Sequence, residues 1–160
     1  MKTAGDIIAA NRQEVWSIPS RATVFEALKL MSDKNVGALP VRDKDHNVVG
    51  IVSERDYARK VTLLGKTSRE TPIEAIMTPA AQMVTVPPDA TLETCMGLMT
   101  AHHVRHLPIF AKDRLVGIIS SRDVIEALIQ EKNGLVESLR DISHTLFTQG
   151  FDDHLAGGKG

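Results

Sequence analysis

The chain has 160 residues, 42% of them hydrophobic, and its 19 basic and 20 acidic residues leave a net charge of −1. A chain of this length buries roughly 70% of its unfolded surface as one compact domain or two tightly packed small repeats, and balanced charge without a long basic run argues against a nucleic-acid binder. Cys95 is the single cysteine, so no internal disulfide can form, and no apolar run approaches the roughly 20 residues that span a bilayer. With no apolar h-region behind residues 1–6, the cytoplasm is the expected compartment.

The chain falls into two copies. Ala22-Thr23 matches Ala90-Thr91 and Pro40 matches Pro108 at an offset of 68, while Gly50 matches Gly117 at 67. The missing residue falls in a polar turn, where Asp43-Lys44-Asp45-His46-Asn47 shortens to Ala111-Lys112-Asp113-Arg114. Hairpin turns tolerate such a change best.

In chain order, each copy opens with a short extended piece, residues 15–18 and 83–86, that ends at Pro19 or Pro87. A helix follows. Thr23-Val24-Phe25-Glu26 has the form of a capping box, and Val24, Ala27, Leu28 and Met31 lie at helical spacing, as do Leu92, Cys95, Met96 and Met99. These methionines read as core fill. Two strands around a polar turn come next, 38–41 with 48–52 and 107–110 with 115–119, and then a second helix over 55–64 or 122–130. The unit is strand, helix, strand, strand, helix, which predicts an α+β fold.

The last strand of each copy runs into nearly the same motif, Gly50-Ile51-Val52-Ser53-Glu54-Arg55-Asp56 and Gly117-Ile118-Ile119-Ser120-Ser121-Arg122-Asp123. The serine stands at an N-cap, and the aspartate three residues on falls in the first helical turn beside free backbone N–H groups. Ser-x-x-Asp is also close to an ordinary capping box. A hydroxyl, an arginine and a carboxylate at a helix N-terminus offer a phosphate donors and positive charge, and offer a ribose diol an acceptor.

These motifs, the element order, and the strands Gly37-Ala38-Leu39-Pro40-Val41 and Arg105-His106-Leu107-Pro108-Ile109 resemble a cystathionine-β-synthase (CBS) domain pair of the stand-alone type, over about residues 5–131. The resemblance implies two repeats, 1–68 and 69–131, packed about a pseudo-two-fold axis, with adenosine-containing ligands in the clefts between them and pairing of two modules into a flat disc. It implies that Asp56 and Asp123 accept from ribose hydroxyls and that Ser53 and Ser120 contact ribose or phosphate. The implied binding set also takes in Arg55 and Arg122, Ala38 and Pro40, Pro108, and Met77 and Thr78. Arg105 and His106 stand where family members with a basic pair reach the phosphates. Gly37 and Ala38 stand there in the first repeat, so the clefts are expected to differ, with nucleotide affinity concentrated at Asp123. AMP is the first expectation for the ligand, with ATP, ADP or NAD behind it.

Several decoys fall away. Gly65-Lys66-Thr67 ends like a phosphate-binding loop, but Lys60 stands where that motif needs its first glycine. His102, His103 and His106 lack a completing carboxylate or cysteine at a recognisable ligand spacing, so a metal site is not expected. No nucleophile elbow or paired acid and base appears, so an enzyme is not expected. Residues 132–160 read as a further helix with an apolar stripe at 135, 139, 142 and 146, followed by a flexible glycine-rich tail.

Two functions fit this pattern. One is a regulatory adenine-nucleotide sensor that signals through dimer shape or a protein partner. The other is a ligand-free assembly module that recruits a partner through its C-terminal helix. A homodimer is expected from apolar residues spread around the helix at 91–101, among them Leu92, Leu98 and Met99.

Overall fold

The structure, a computed structural model, describes residues 1–12 and 14–156, with side chains as far as residue 144. The expected glycine-rich tail at 157–160 lies outside the described residues. Helix α1 (Ala4–Asn11) leads into β1 (Ile18–Pro19), α2 (Val24–Lys34), β2 (Ala38–Arg42), β3 (Val48–Ser53) and α3 (Glu54–Tyr57). Strand β4 (Thr78–Pro79) joins the first repeat to α4 (Leu92–His102), β5 (His106–Ala111), β6 (Arg114–Ser120) and α5 (Ser121–Ala156).

Local sequence explains most element ends. Thr23 and Glu26 form the reciprocal capping box that starts α2, and Thr91 caps α4 by accepting from Thr94 N–H. Both helices stop at a left-handed residue, Asn35 (φ 53°) and His103 (φ 53°), which redirects the chain into the next strand. In the first hairpin Asp43 Oδ1 accepts from the N–H groups of Asp45 and Asn47, and His46 takes a positive φ of 64°.

The two sheets match by the offsets seen in the sequence. Strand β2 pairs antiparallel with β3 through Leu39↔Val52, and β5 with β6 through Leu107↔Ile119. Ile18 pairs parallel with Val41, and at the equivalent place Val86 makes a single parallel bridge to Ile109. The extended pieces expected at 15–18 and 83–86 thus shrink to two residues and one bridge.

The leading segments of the repeats are exchanged. Helix α1 stands first in the chain, yet Ala4 and Ile7 pack into the second core with Val86, Leu92, Leu107, Ile109 and Ile119. Ile73, Ile76 and Met77 do the same for the first core, with Val24, Met31, Leu39 and Val52. Bridges Thr3↔Thr91 and Thr23↔Pro72 mark the same exchange. It makes each repeat complete only in the presence of the other.

Three expectations change. The helix expected over 55–64 is one α-turn followed by a π-helical stretch, Ala58–Thr62, that buries Val61. The second helix of the second repeat and the separate C-terminal helix are one helix, α5, whose helical assignment runs through Asn133 and Gly134. Leu92 and Met99 are buried in the second core and Leu98 packs against it, so α4 does not supply the apolar surface assigned to a dimer.

Candidate functional site

A cleft of about 410 Å³ opens between the repeats, within the roughly 300–1,000 Å³ usual for small-molecule sites. The second repeat contributes His106, Gly117, Ile118, Ser120, Arg122, Asp123 and Glu126, and the first contributes Val15, Trp16 and residues 35–39. His106, Ser120, Arg122, Asp123 and Ala38 of the expected set therefore share one cavity.

The floor is the N-terminus of α5. Asp123 Oδ2 accepts from Ser120 N–H at 2.7 Å and from the Ser120 hydroxyl at 2.9 Å, while Asp123 N–H donates back to Ser120 Oγ at 3.2 Å. The capping reading of Ser-x-x-Asp is correct, but it uses only one carboxylate oxygen. Oδ1 of Asp123 carries no hydrogen bond or ion pair among the described residues, and it is the acceptor open to a diol.

The first repeat repeats the box and then closes it. Asp56 Oδ2 accepts from Ser53 N–H (2.9 Å) and hydroxyl (3.1 Å), but its Oδ1 stands 3.1 Å from Lys60 Nζ. Lys60 Nζ also donates to the Ile76 carbonyl at 2.8 Å. The residue equivalent to Lys60 in the second repeat is the buried Ala127, so Asp123 has no such partner. The clefts differ, through a lysine that sequence reading had not singled out.

The cations do not gather as the resemblance implied. Arg105 is exposed and is not among the residues lining the Asp123 cleft, whereas its counterpart Gly37 is. On the other side, Arg55 Nη1 donates to the carbonyl of His103, the counterpart of the cleft-lining Asn35. His103 therefore lies on the Arg55 side while His106 lines the Asp123 cleft, and the expected grouping of Arg105 with Asp123 is not seen among the lining residues. The reason is the pseudo-two-fold arrangement, in which the strand entry of one repeat faces the helix start of the other. Arg105→Ala is accordingly expected to change AMP affinity at the Asp123 cleft by no more than about twofold in titration calorimetry, the scatter usual for an exposed residue outside the cleft lining.

Arg122 does line the cleft, but its Nε donates to Glu126 at 2.9 Å and its side chain is 85% exposed. It is a cation at the mouth. His106 lies deeper, with its ring 3.2 Å from where a Cβ on Gly37 would stand. Burial pushes its pKa below the ordinary value of 6.5, and nearby Arg105 acts the same way, against the raising effect of Asp123 and Glu54. Burial thus works against a charged ring, and so against the phosphate cation expected from sequence. Because the unfolded chain holds that proton more tightly, the stabilising effect is full above about pH 6.5 and is lost as pH falls through the lower folded value. Thermal melting from pH 8 to pH 5 should show this decline, and His106→Gln should flatten it.

The remaining expected residues are structural or belong to the other side. Pro40 and Pro108 are buried strand residues, and Met77 packs on the first core beside Gly50. Thr78 lies in β4, paired with Ile51. Trp16 was missed. The chain has one tryptophan, and its singleness beside Pro19 was the signal available; here it lines the cleft with Lys34 Nζ 4.0 Å from its ring centroid. Among the described residues, no cluster of three or more His, Cys, Asp or Glu is placed to hold a metal, and no helix is long and apolar enough to cross a membrane.

Two mutually completing repeats around an inter-repeat cleft floored by a capped helix N-terminus define a paired-repeat module of mixed α+β fold. The CBS domain matches residues 4–62 and 73–130, and the chain belongs to that family. A putative signal-transduction protein with CBS domains from Burkholderia ambifaria is 39% identical with a TM-score of 0.75, over 81% of this chain and 95% of that one. The mitochondrial CBS domain-containing protein CBSX3 of Arabidopsis thaliana is 37% identical over 68% of this chain, which spans only 54% of that protein. The structure of CBSX2 in complex with AMP is 28% identical, with a TM-score of 0.64, over 82% of this chain and 99% of that one.

Proposed function

We propose that this chain is a non-enzymatic regulatory module that binds an adenine nucleotide, AMP before ATP, ADP or NAD, in the cleft over Asp123. The observation that carries this reading is the unengaged Asp123 Oδ1 at the floor of a cleft of nucleotide size. The ribose diol donates to that oxygen, the base lies toward Trp16 and residues 36–39, and the phosphate leaves past the N-terminus of α5 and Arg122. AMP in the related CBSX2 structure supports the ligand class. The bound nucleotide bridges both repeats and so biases the angle between them, which is the signal a protein partner reads.

AMP at 100 times its dissociation constant should raise stability by about 2.7 kcal/mol in a melting experiment. No shift with AMP, ADP, ATP or NAD would leave the ligand-free assembly reading in its place. Calorimetry should give one AMP site per chain, since Lys60 holds Asp56. Lys60→Ala should add a second, weaker site, and two sites in the unaltered protein would refute the closure.

A further inference from the structure

Helix α5 leaves its domain. Val124 and Ala127 are buried in the second core, Leu128 packs against it, and Glu131 accepts from the Lys2 backbone N–H. From residue 132 to residue 144 every side chain is exposed, although the helix runs on to Ala156, about 36 Å further at 1.5 Å per residue. A helical extension of this kind is marginal in water by propensity alone and draws its stability from packing an apolar face. Ile129 (53%), Leu135 (60%), Leu139 (56%) and Ile142 (56%) present such a face.

The spacing of that face says what covers it. Positions 125, 132, 139 and 146 repeat every seven residues, as do 128, 135 and 142, and the two sets interleave at steps of three and four. Every residue in them is Ile or Leu except Lys132, and Ile129 and Val136 flank them on one side. On a straight helix of period 3.6 this stripe drifts about 20° per heptad, whereas at period 3.5 it forms one continuous seam. A seam of period 3.5 is matched by another helix wound to the same supercoil.

We propose that α5 pairs with α5 of a second copy of this chain as an antiparallel coiled coil centred near residue 137. The charge on the seam sets the direction. In a parallel pair Lys132 would face Lys132 of the second copy in a core layer, with two like charges desolvated together. In the antiparallel pair Lys132 meets Ile142, Leu135 meets Leu139, and Val136 meets its own copy across the two-fold axis. One self-complementary contact then covers Leu135, Val136, Leu139 and Ile142 of both copies. This pairing is independent of the nucleotide cleft.

Sedimentation equilibrium on the full chain, without nucleotide, should give twice the chain mass. The double variant Leu135→Asp, Leu139→Asp should sediment at the chain mass, and its thermal transition should stay cooperative because both positions lie outside the cores. Lys132→Leu should act in the opposite direction and tighten the dimer at least tenfold. Under mild oxidation Val136→Cys should form a disulfide-linked dimer and Leu139→Cys should not. A monomeric unaltered chain would assign the seam to a different protein and overturn the proposal, as would a dimer that survives the double variant. Cross-linking through Leu139→Cys in place of Val136→Cys would overturn the antiparallel direction.

Discussion

Asp123→Ala is expected to abolish AMP binding while leaving the module folded. A hydrogen bond from a ribose hydroxyl to a carboxylate is worth about 1.5–3 kcal/mol, so losing two lowers affinity by roughly a hundredfold or more. The structural cost is smaller, because Ser120 N–H and hydroxyl lose their acceptor at a partly exposed helix start, and a lost cap costs about 1 kcal/mol. Titration calorimetry and thermal melting on the same variant separate the two effects. Asp56→Ala is the internal control, since Lys60 already holds that carboxylate. Unchanged AMP affinity in Asp123→Ala, or equal losses in both variants, would end the assignment of the ribose to Asp123.

The second large effect is on stability. A Cβ on Gly50 would stand 2.6 Å from the Thr78 carbonyl oxygen and 2.8 Å from Met77 Sδ, because the chain enters β4, the antiparallel neighbour of β3, at that point. The sulfur can move, but the carbonyl belongs to a paired strand. Gly50→Ala therefore forces the linker off the first sheet and should cost about 1–3 kcal/mol, the range for overpacking a close-packed interior. At the matching position a Cβ on Gly117 runs into Ile8, first at the Cδ1 tip of a side chain that can rotate. Gly117→Ala should thus be the milder change. Denaturant melts of the two variants decide this, and an equal or larger loss at Gly117 would show that α1 yields less readily than β4.

Much of the fold was legible in the sequence because its signals are local. Thr23 with Glu26 and Ser53 with Asp56 write their capping boxes within four residues, and the hairpins 38–42/48–53 and 106–111/114–120 follow from apolar runs around polar turns. The same locality explains the misses. That Asn133 and Gly134 leave α5 unbroken depends on the whole helix, and nothing in residues 58–62 alone signals a π-helical turn.

The candidate site was legible in half. Doubling of Ser-x-x-Asp singled out Asp56 and Asp123 as equals, and composition marked Trp16 only as solitary. Which carboxylate stays open depends on Lys60 reaching both Asp56 and the Ile76 carbonyl sixteen residues away. Whether Arg105 or Gly37 faces Asp123 depends on how one repeat is turned against the other.

By itself, then, the sequence determined the repeat, the order of elements, the caps and the two carboxylates, since each is written in side-chain types within one or two turns of chain. Only the tertiary structure decided that α1 completes the second core, that a cleft opens over Asp123, and that His106 is half-buried beside Gly37. Those outcomes follow from packing two similar repeats face to face. Contacts across such an interface join residues far apart in the chain, Arg55 with His103 and Gly37 with His106 among them, and no pattern of local propensity records which side chain of one repeat meets which of the other.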